Sequence, residues 1–393
     1  MLDRNSLQRE VVEDAKNYKN QLLNWATGVG KSYAFIKIQE ALNPELTFLC
    51  VSESSHIKNW EEEYRKYNKI DLLNKTEIFC YASLHKYKDR ECDLLGNDEC
   101  HRITDLRASY LASIKTKHVV SLSATTTERE RDLLRIIWGS PLRISRVTLD
   151  GAISSGILAE PLIVKVPLRL GNNPTETFTV TRGSSKKPIA CLYKDRWKYL
   201  KNPASFKLVV RCSQFEKYQH LCEQVEFYKQ KSYVTGNPLY SLKWKRAGLD
   251  RKNYLASLKT PYLKKVLEIV GDKRFICFCG GIKQANEVGS TNVVHSKVKN
   301  PQEVIDRFNN REIPSLFAVN MLQEGVNLNG VEVGIITQLD NNIRSFVQRV
   351  GRALRNKDNP VVYVLYFANT RDEEYLDKAL SGINENYITT LDL

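Results

Sequence analysis

A glycine-bearing turn that ends in lysine and serine, Trp25-Ala26-Thr27-Gly28-Val29-Gly30-Lys31-Ser32, is the first place where residue types and spacing imply chemistry. Backbone N–H groups can close around phosphate oxygens only where the chain turns tightly, and Gly28 and Gly30 supply that freedom. Lys31 is then set to reach the β- and γ-phosphates of a nucleotide, and the Ser32 hydroxyl to ligate magnesium. The full pattern for such a loop has glycine where Trp25 stands. Three further groups follow: an acidic box, Asp98-Glu99-Cys100-His101; the triplet Ser123-Ala124-Thr125; and Gln348-Arg349-Val350-Gly351-Arg352-Ala353-Leu354-Arg355. Paired carboxylates can hold a cation and activate water. Arg352 and Arg355 fall at i and i+3, on one face of a helix, where guanidinium groups can neutralise charge developing on a transferring phosphoryl group. The chemistry these groups suit is nucleotide hydrolysis.

The elements that must position them alternate. A helix is expected over Leu7–Tyr18, a strand over Leu22–Trp25, a helix over Tyr33–Leu42, a buried strand over Thr47–Val51 and a helix over Ile57–Tyr67. Glu77–Tyr81, Cys92–Leu95 and His118–Leu122 read as further strands. A second series runs from Arg274, with strands at Phe275–Cys279, Val293–Val294, Leu316–Val319, Val333–Thr337 and Val361–Tyr366 and helices at Pro301–Asn309 and Ile343–Leu354. Strands alternating with helices imply parallel sheets and an α/β class. The expected units are 1–150, a crossover at 151–170 that includes Leu162–Leu168, a middle segment at 171–262, and 263–393. In the middle segment Thr175–Thr181 alternates like a strand, Arg182–Pro188 is turn-like, Ile189–Tyr193 is suited to return as a hairpin partner, and helices including Phe215–Lys229 follow.

Composition bounds the partners. The chain of 393 residues carries net charge +14, which suggests a polyanion. The charge is uneven: from Arg182 to Lys265 there are 20 Lys and Arg against 5 Asp and Glu, with Trp197, Trp244 and many tyrosines among them. There is no apolar run long enough for a membrane span, and the first residues do not form a signal pattern, so a cytoplasmic protein is expected, in a bacterial or phage-infected cell. The nine cysteines include no CxxC pair, which fits free thiols in a reducing compartment. Cys277 and Cys279 alternate on one strand and read as a buried apolar face rather than a metal pair.

The order of these motifs resembles the motor of superfamily 2 helicases and translocases, outside the DEAD-box proteins. Ala26–Ser32 and Gln348–Arg355 are similar to the phosphate loop and final motif of restriction-enzyme motors, UvsW and XPB. His56–Glu63 resembles the Asn-Trp-x-x-Glu stretch of Swi/Snf-type translocases, Cys80–Leu84 their Thr-Tyr-x-Ser-Leu motif, and Val209–Tyr228 their segment entering lobe two. The resemblance implies two RecA-like parallel-sheet lobes with an ATP cleft between them and a basic accessory segment. It implies that Thr27, Gly28, Val29, Gly30, Lys31 and Ser32 hold ATP, that Ser32 and Asp98 hold magnesium, that Glu99 activates water, and that Arg352, Arg355 and Gln348 complete the site. Gln8 matches the glutamine that reads adenine, and Arg4 is placed to stack on the base. Residues 317–328 stand where motif V belongs; they lack its frequent threonine, while Gly325 and Asn327 fit.

By motif match, Ser54, Ser55, Asn59, Ser83, Ser123, Thr125, Gly280, Gly281, His295 and Ser296 are the expected nucleic-acid contacts. Arg182, Lys186 and Lys187 would form a basic hairpin tip able to split a fork. The leading expectation is a monomeric ATP-dependent DNA helicase or translocase acting on forked, branched or duplex DNA. An RNA helicase is the rival within the class. A nucleic-acid-stimulated ATPase that remodels a bound complex without unwinding is the rival outside it. No nuclease domain is expected.

Overall fold

The computed structural model describes residues 3–139, 141–184, 187–201, 204–319, 328, 330–339, 360–381 and 383–393, with Ser55 described by its backbone alone. The first lobe runs α1 (Arg4–Asn17), β1 (Asn20–Trp25), α2 (Lys31–Leu42), β2 (Thr47–Val51), α3 (Ser54–Lys66), α4 (Ile70–Asn74), β3 (Thr76–Cys80), β4 (Glu91–Asn97), α5 (Asp105–Ser113), β5 (Lys115–Ser123), α6 (Glu128–Trp138) and β6 (Leu142–Val147). Its strands lie in the order β3-β2-β4-β5-β1-β6, every neighbouring pair parallel. β1 and β2 are buried at every position, as strands covered on both faces must be. α6 starts at a capping box, Thr127 with Glu130, which satisfies two orphan N–H groups and stops the helix growing backwards.

The rest runs α7 (Leu149–Ser154), β7 (Leu162–Leu168), β8 (Glu176–Arg182), β9 (Pro188–Leu192), α8 (Arg196–Leu200), β10 (Phe206–Cys212), α9 (Gln214–Thr235), α10 (Pro238–Leu258), α11 (Thr260–Val270), β11 (Phe275–Phe278), α12 (Ile282–Gly289), β12 (Val293–Val294), α13 (Pro301–Asn309), β13 (Ser315–Ala318), β14 (Val333–Ile336), β15 (Val361–Phe367), α14 (Arg371–Leu380) and β16 (Ile388–Thr390). The second sheet has the order β12-β13-β11-β14-β15-β7-β16 and is again parallel throughout. The expected architecture of two parallel-sheet lobes is therefore present. The helix expected at Ile343–Leu354 lies outside the described residues. Leu149, Ala152, Ile153 and Leu158 join one apolar cluster that continues into both sheets.

The middle of the chain departs from the reading in two ways. Leu162–Leu168 is more than a crossover: it pairs with β15 along its whole length and with β16 on its other side. Secondly, Ile189–Tyr193 does not return on the strand before it. β10 sits between β8 and β9, antiparallel to one and parallel to the other. The burial pattern gives the reason. β10 buries Phe206, Leu208, Val210 and Cys212 in a small core of its own, whereas β8 and β9 are largely exposed. The most apolar strand takes the centre, and β9, which opens with Pro188 and so lacks one donor, takes an edge. β8 and β9 are therefore not paired as a two-stranded hairpin. Arg182 instead donates to the Leu200 carbonyl at 3.2 Å and lies over the Phe206 ring.

Candidate nucleotide site

In a parallel α/β sheet, ligands collect where the strands end at their carboxyl edge. In the first lobe the phosphate loop follows β1, the triplet ends and follows β5, and the acidic box follows β4, on three adjacent strands. With strands about 4.8 Å apart, Lys31 and Asp98 are brought to the same edge from positions far apart in the chain.

Within the loop, Gly28 and Gly30 have φ of 91° and 109°, values that a side chain would strain. Gly30 caps α2, whose first turn carries no acidic residue, so the positive end of the helix dipole is left for an anion. Thr27 and Val29 are buried, while Gly28, Gly30, Lys31 and Ser32 are partly exposed. The Lys31 ammonium donates to the Trp25 carbonyl at 2.9 Å, spanning the loop. Trp25 departs from the loop pattern at no cost, because its backbone is not in the left-handed region. Its fully buried indole donates to Ser145 on β6 at 2.9 Å, anchoring the loop to the neighbouring strand.

Asp98 is held at three points. Trp60 Nε1 donates to its Oδ2 at 2.9 Å, the Glu99 amide donates to its Oδ1 at 3.0 Å, and the Tyr81 hydroxyl donates to its carbonyl at 3.0 Å. Burial pushes the Asp98 carboxyl up to about 6, with the charge of Glu99 adding to the effect; the Trp60 hydrogen bond, His56 and Lys31 pull the other way. A carboxylate with that much uncompensated charge suits a cation beside it, and Ser32 stands at the start of the helix on the other side. These residues fit a magnesium ion.

Glu99 adopts a left-handed backbone, φ 48° and ψ 51°, uncommon for a residue with a side chain and frequent at functional sites. Its Oε2 lies 3.3 Å from His101 Nδ1, which is also 3.1 Å from Ser123 Oγ. Ser123 Oγ donates to the Thr125 carbonyl at 2.8 Å. The hydroxyl proton being committed there, Ser123 accepts from His101, so Nδ1 carries the proton and faces Glu99. His101 of the acidic box is thus hydrogen-bonded to the triplet, with the Glu99 carboxylate beside its ring. Asn24 braces the triplet from β1, donating to the Ala124 carbonyl at 3.1 Å and accepting from Thr126 Oγ1.

Gln8 is buried on α1, with Nε2 3.8 Å from where a side chain at Gly30 would begin. It borders a cavity of about 410 Å³ between α1 and α2 that Tyr33 also lines. Arg4 bonds to the Gly28 and Ile157 carbonyls at 3.4 and 3.1 Å, tying the phosphate loop to the segment leading into β7. Gln348, Arg352, Arg355, Gly325, Asn327 and Lys186 lie outside the described residues.

The expected nucleic-acid residues divide. Ser54, Ser83 and Ser296 are at least partly exposed and follow the ends of β2, β3 and β12; Asn59 and Thr125 are half-buried, and Arg182 and Lys187 are exposed on the separate three-stranded sheet. Ser123 is fully buried, its hydroxyl turned to His101 and Thr125. His295 is buried with its ring between Asn286 and the Lys297 amide. At Gly280 a side chain would strike Ala256 Cβ at 2.3 Å, so close packing of α10 explains that glycine, while Gly281 faces open space.

Trp60, Tyr81 and His101 were quoted in the motifs, but no sequence signal gave them these contacts. Trp60 and Tyr81 come from elements whose proximity to Asp98 only the sheet order reveals, and sheet order also sets His101 against Ser123.

Residues 258–357 match the family described as the helicase conserved C-terminal domain. Dicer-like protein 2 of Phaeosphaeria nodorum is 26% identical over 96 residues, 24% of this chain and 7% of that protein. Among solved structures, the ATP-dependent Type ISP restriction-modification enzyme LlaBIII bound to DNA is similar with a TM-score of 0.59 at 14% identity, over 100% of this chain and 31% of that one. Dbp5 of S. cerevisiae bound to RNA and ADP BeF3 is similar with a TM-score of 0.56 at 13% identity, over 98% of this chain and 89% of that one. The chain therefore spans under a third of the restriction-modification enzyme and under a tenth of the Dicer-like protein. Residues 258–357 thus carry the match to the helicase conserved C-terminal domain, and the two-lobed fold is shared with the restriction-modification enzyme and with Dbp5.

Proposed function

We propose that the chain is an ATP-driven DNA helicase or translocase that acts on forked, branched or duplex DNA. The observation that carries the ATPase is the hydrogen-bonded run His101–Ser123–Thr125, with the Glu99 carboxylate 3.3 Å from His101 Nδ1, beside Lys31 and Asp98. It sets a carboxylate base next to a phosphate loop and places that base beside the histidine bonded to the triplet. Lys31 leaves the Trp25 carbonyl for the β- and γ-phosphates, and Gln8 reads the adenine edge, its amide able both to donate and to accept. Glu99 orients the attacking water and takes its proton. Ser32 and Asp98 would hold magnesium, which would neutralise phosphate charge. Arg352, Arg355 and Gln348, within the matched C-terminal domain, complete the charge balance from the second lobe.

The basic charge supports a nucleic acid of either kind, and DNA is supported by likeness to a restriction-modification enzyme bound to DNA. A second reading, RNA, is favoured by likeness to Dbp5 bound to RNA. The discriminating experiment compares ATPase rates with no nucleic acid, single-stranded DNA, duplex DNA, a fork and single-stranded RNA, with Lys31→Ala as the dead control. Stimulation by fork or duplex supports the DNA motor. RNA-only stimulation replaces DNA as the substrate, and no stimulation removes nucleic acid from the proposal.

Trp60 gives a sharper test of Asp98. Trp60→Phe keeps a ring against Phe35, which Trp60 meets edge-on at 5.6 Å, and removes the donor to Asp98 together with part of a buried ring. Loss of an outer-shell partner typically costs about 10- to 100-fold in metal affinity or activity. A magnesium titration of the ATPase should shift to higher concentration at a temperature where the variant, modestly lowered in thermal midpoint by the cavity, is still fully folded. An unchanged titration would show that Asp98 does not need this orientation.

A further inference from the structure

α9 and α10 form an antiparallel helical hairpin turned by Gly236 and Asn237. Gly236 has φ 63°, and the Asn237 side chain accepts the Leu239 amide. The base is fastened to the second lobe. The Tyr218 hydroxyl accepts the Arg371 amide at 2.9 Å, and Ala256 closes on Gly280. The far half is different. From Phe227 to Arg246 no residue is buried. Counting from Tyr218, the last buried residue of α9, to Thr235 at its end, the arm extends about 25 Å at 1.5 Å per residue.

That far half should be polar if it only faced water, yet Tyr233, Val234 and Leu242 are 71%, 84% and 64% exposed. The same stretch carries Lys229, Lys231, Lys243, Lys245 and Arg246 and no Asp or Glu. Of these only Lys229 faces a carboxylate among the described residues, Glu226 at 3.8 Å. The cations are interleaved with rings: Lys231 stands 5.9 Å from the Phe227 centroid, Lys243 stands 5.8 Å from those of Tyr228 and Tyr240, and Tyr233 meets Trp244 across the two helices at 5.9 Å. Alternating rings and unneutralised cations complement a chain of flat bases on a phosphate backbone.

We propose that the tip of this hairpin is a second nucleic-acid contact, separate from the strand ends beside the nucleotide, which holds unpaired bases of the strand on which the motor works. The proposal rests on the nucleic-acid reading above. Lys231, Lys243 and Lys245 take phosphates, and Tyr233 and Trp244 offer faces for bases. The arm is rooted in the second lobe, so a strand held at its tip moves with that lobe.

The test uses the whole chain, labelled oligothymidylate, oligouridylate and a blunt duplex, with fluorescence anisotropy over a salt series. Lys231→Glu/Lys243→Glu/Lys245→Glu should weaken binding at least about tenfold and flatten the salt slope by about 2, three contacts at about 0.7 each. Tyr233→Ala/Trp244→Ala should weaken single-strand binding by about 5- to 100-fold with the slope unchanged and duplex binding nearly so. ATPase without nucleic acid should stay at the parent rate for both variants, and circular dichroism should match, since nothing changed is buried. Parent-like affinity and slope in both variants would overturn the arm and leave its apolar tip to a protein partner. A parent chain that binds none of the three probes would overturn the nucleic-acid reading itself, and the arm with it.

Discussion

Glu99→Gln should reduce the ATP turnover number by about 10²- to 10⁴-fold, the usual contribution of a positioned general base, while nucleotide binding survives. The substitution is nearly isosteric and leaves the left-handed backbone at this position with a side chain of the same length. It removes the negative charge facing His101 Nδ1 and the ability to accept a proton from water. Because the phosphate loop is built from backbone geometry at Gly28 and Gly30 and from Lys31, affinity for a fluorescent ATP analogue should stay near the parent value. Single-turnover hydrolysis beside equilibrium binding separates the two effects. The charge of Glu99 also helps raise Asp98, so its neutralisation eases ionisation of Asp98 and should, if anything, favour magnesium. A Glu99→Gln protein that turns over at the parent rate would assign the base elsewhere. A protein that loses nucleotide affinity in step with turnover would make Glu99 a structural residue of the loop.

The largest expected effect on stability lies far from the chemistry. Lys259, at the junction of α10 and α11, is 1% exposed; its ammonium lies 2.5 Å from Asp372 Oδ2 and donates to the Thr337 carbonyl at 2.7 Å. Burial pulls the Lys259 pKa down and Asp372 pulls it back up. Removing one partner of such a pair leaves an uncompensated buried charge, at about 3–5 kcal/mol. Lys259→Ala, which also strands the Thr337 carbonyl, should therefore be severely destabilised in urea or thermal unfolding. Lys259→Met/Asp372→Leu should recover most of that loss, since well-packed apolar replacements of buried pairs are often neutral or better. A mild Lys259→Ala phenotype, or a double variant no better than the single, would contradict the account. The pair sits in one network with Gln284, which donates to the Ala256 carbonyl and accepts from the Thr337 hydroxyl. The root of the α9–α10 arm and the end of β14 are thus held by the same buried atoms.

What could be read in advance follows a physical line. β2 and α13 were placed to the residue, because a continuous apolar run and a Pro at the first helical position are local signals. The phosphate loop was legible because its requirement is also local: positive φ at two glycines, then lysine and serine. The return of Ile189–Tyr193 was misread because alternation tells which face a strand buries and not which strand it pairs with; β10, fourteen residues beyond Leu192 at its start, wins the central place by its greater apolar content. Trp60, Tyr81 and His101 escaped for a related reason. Trp60 and Tyr81 reach Asp98 from other elements, and His101 meets Ser123 across neighbouring strands, so these roles depend on sheet order. Lys259 looked like one more member of a basic segment, and nothing in its neighbourhood along the chain marks it as buried.

The pairing of β7 with β15 has a consequence for biosynthesis. β7 leaves the ribosome early, at residues 162–168, while its partner begins at residue 361, 361 − 162 = 199 residues later. At 5–20 residues per second this is a wait of roughly 10–40 s. Over that time Leu-Ile-Val-Lys-Val-Pro-Leu has no neighbouring strand on which to form its ladder, although the first sheet is already complete at Val147. Such a run is a template for unwanted strand addition. Lys165 and Pro167 interrupt it with a charge and a missing donor, the two residue types that discourage edge pairing. The pair keeps the nascent segment soluble until the last strands arrive, at the cost of one ladder donor that the finished sheet does without.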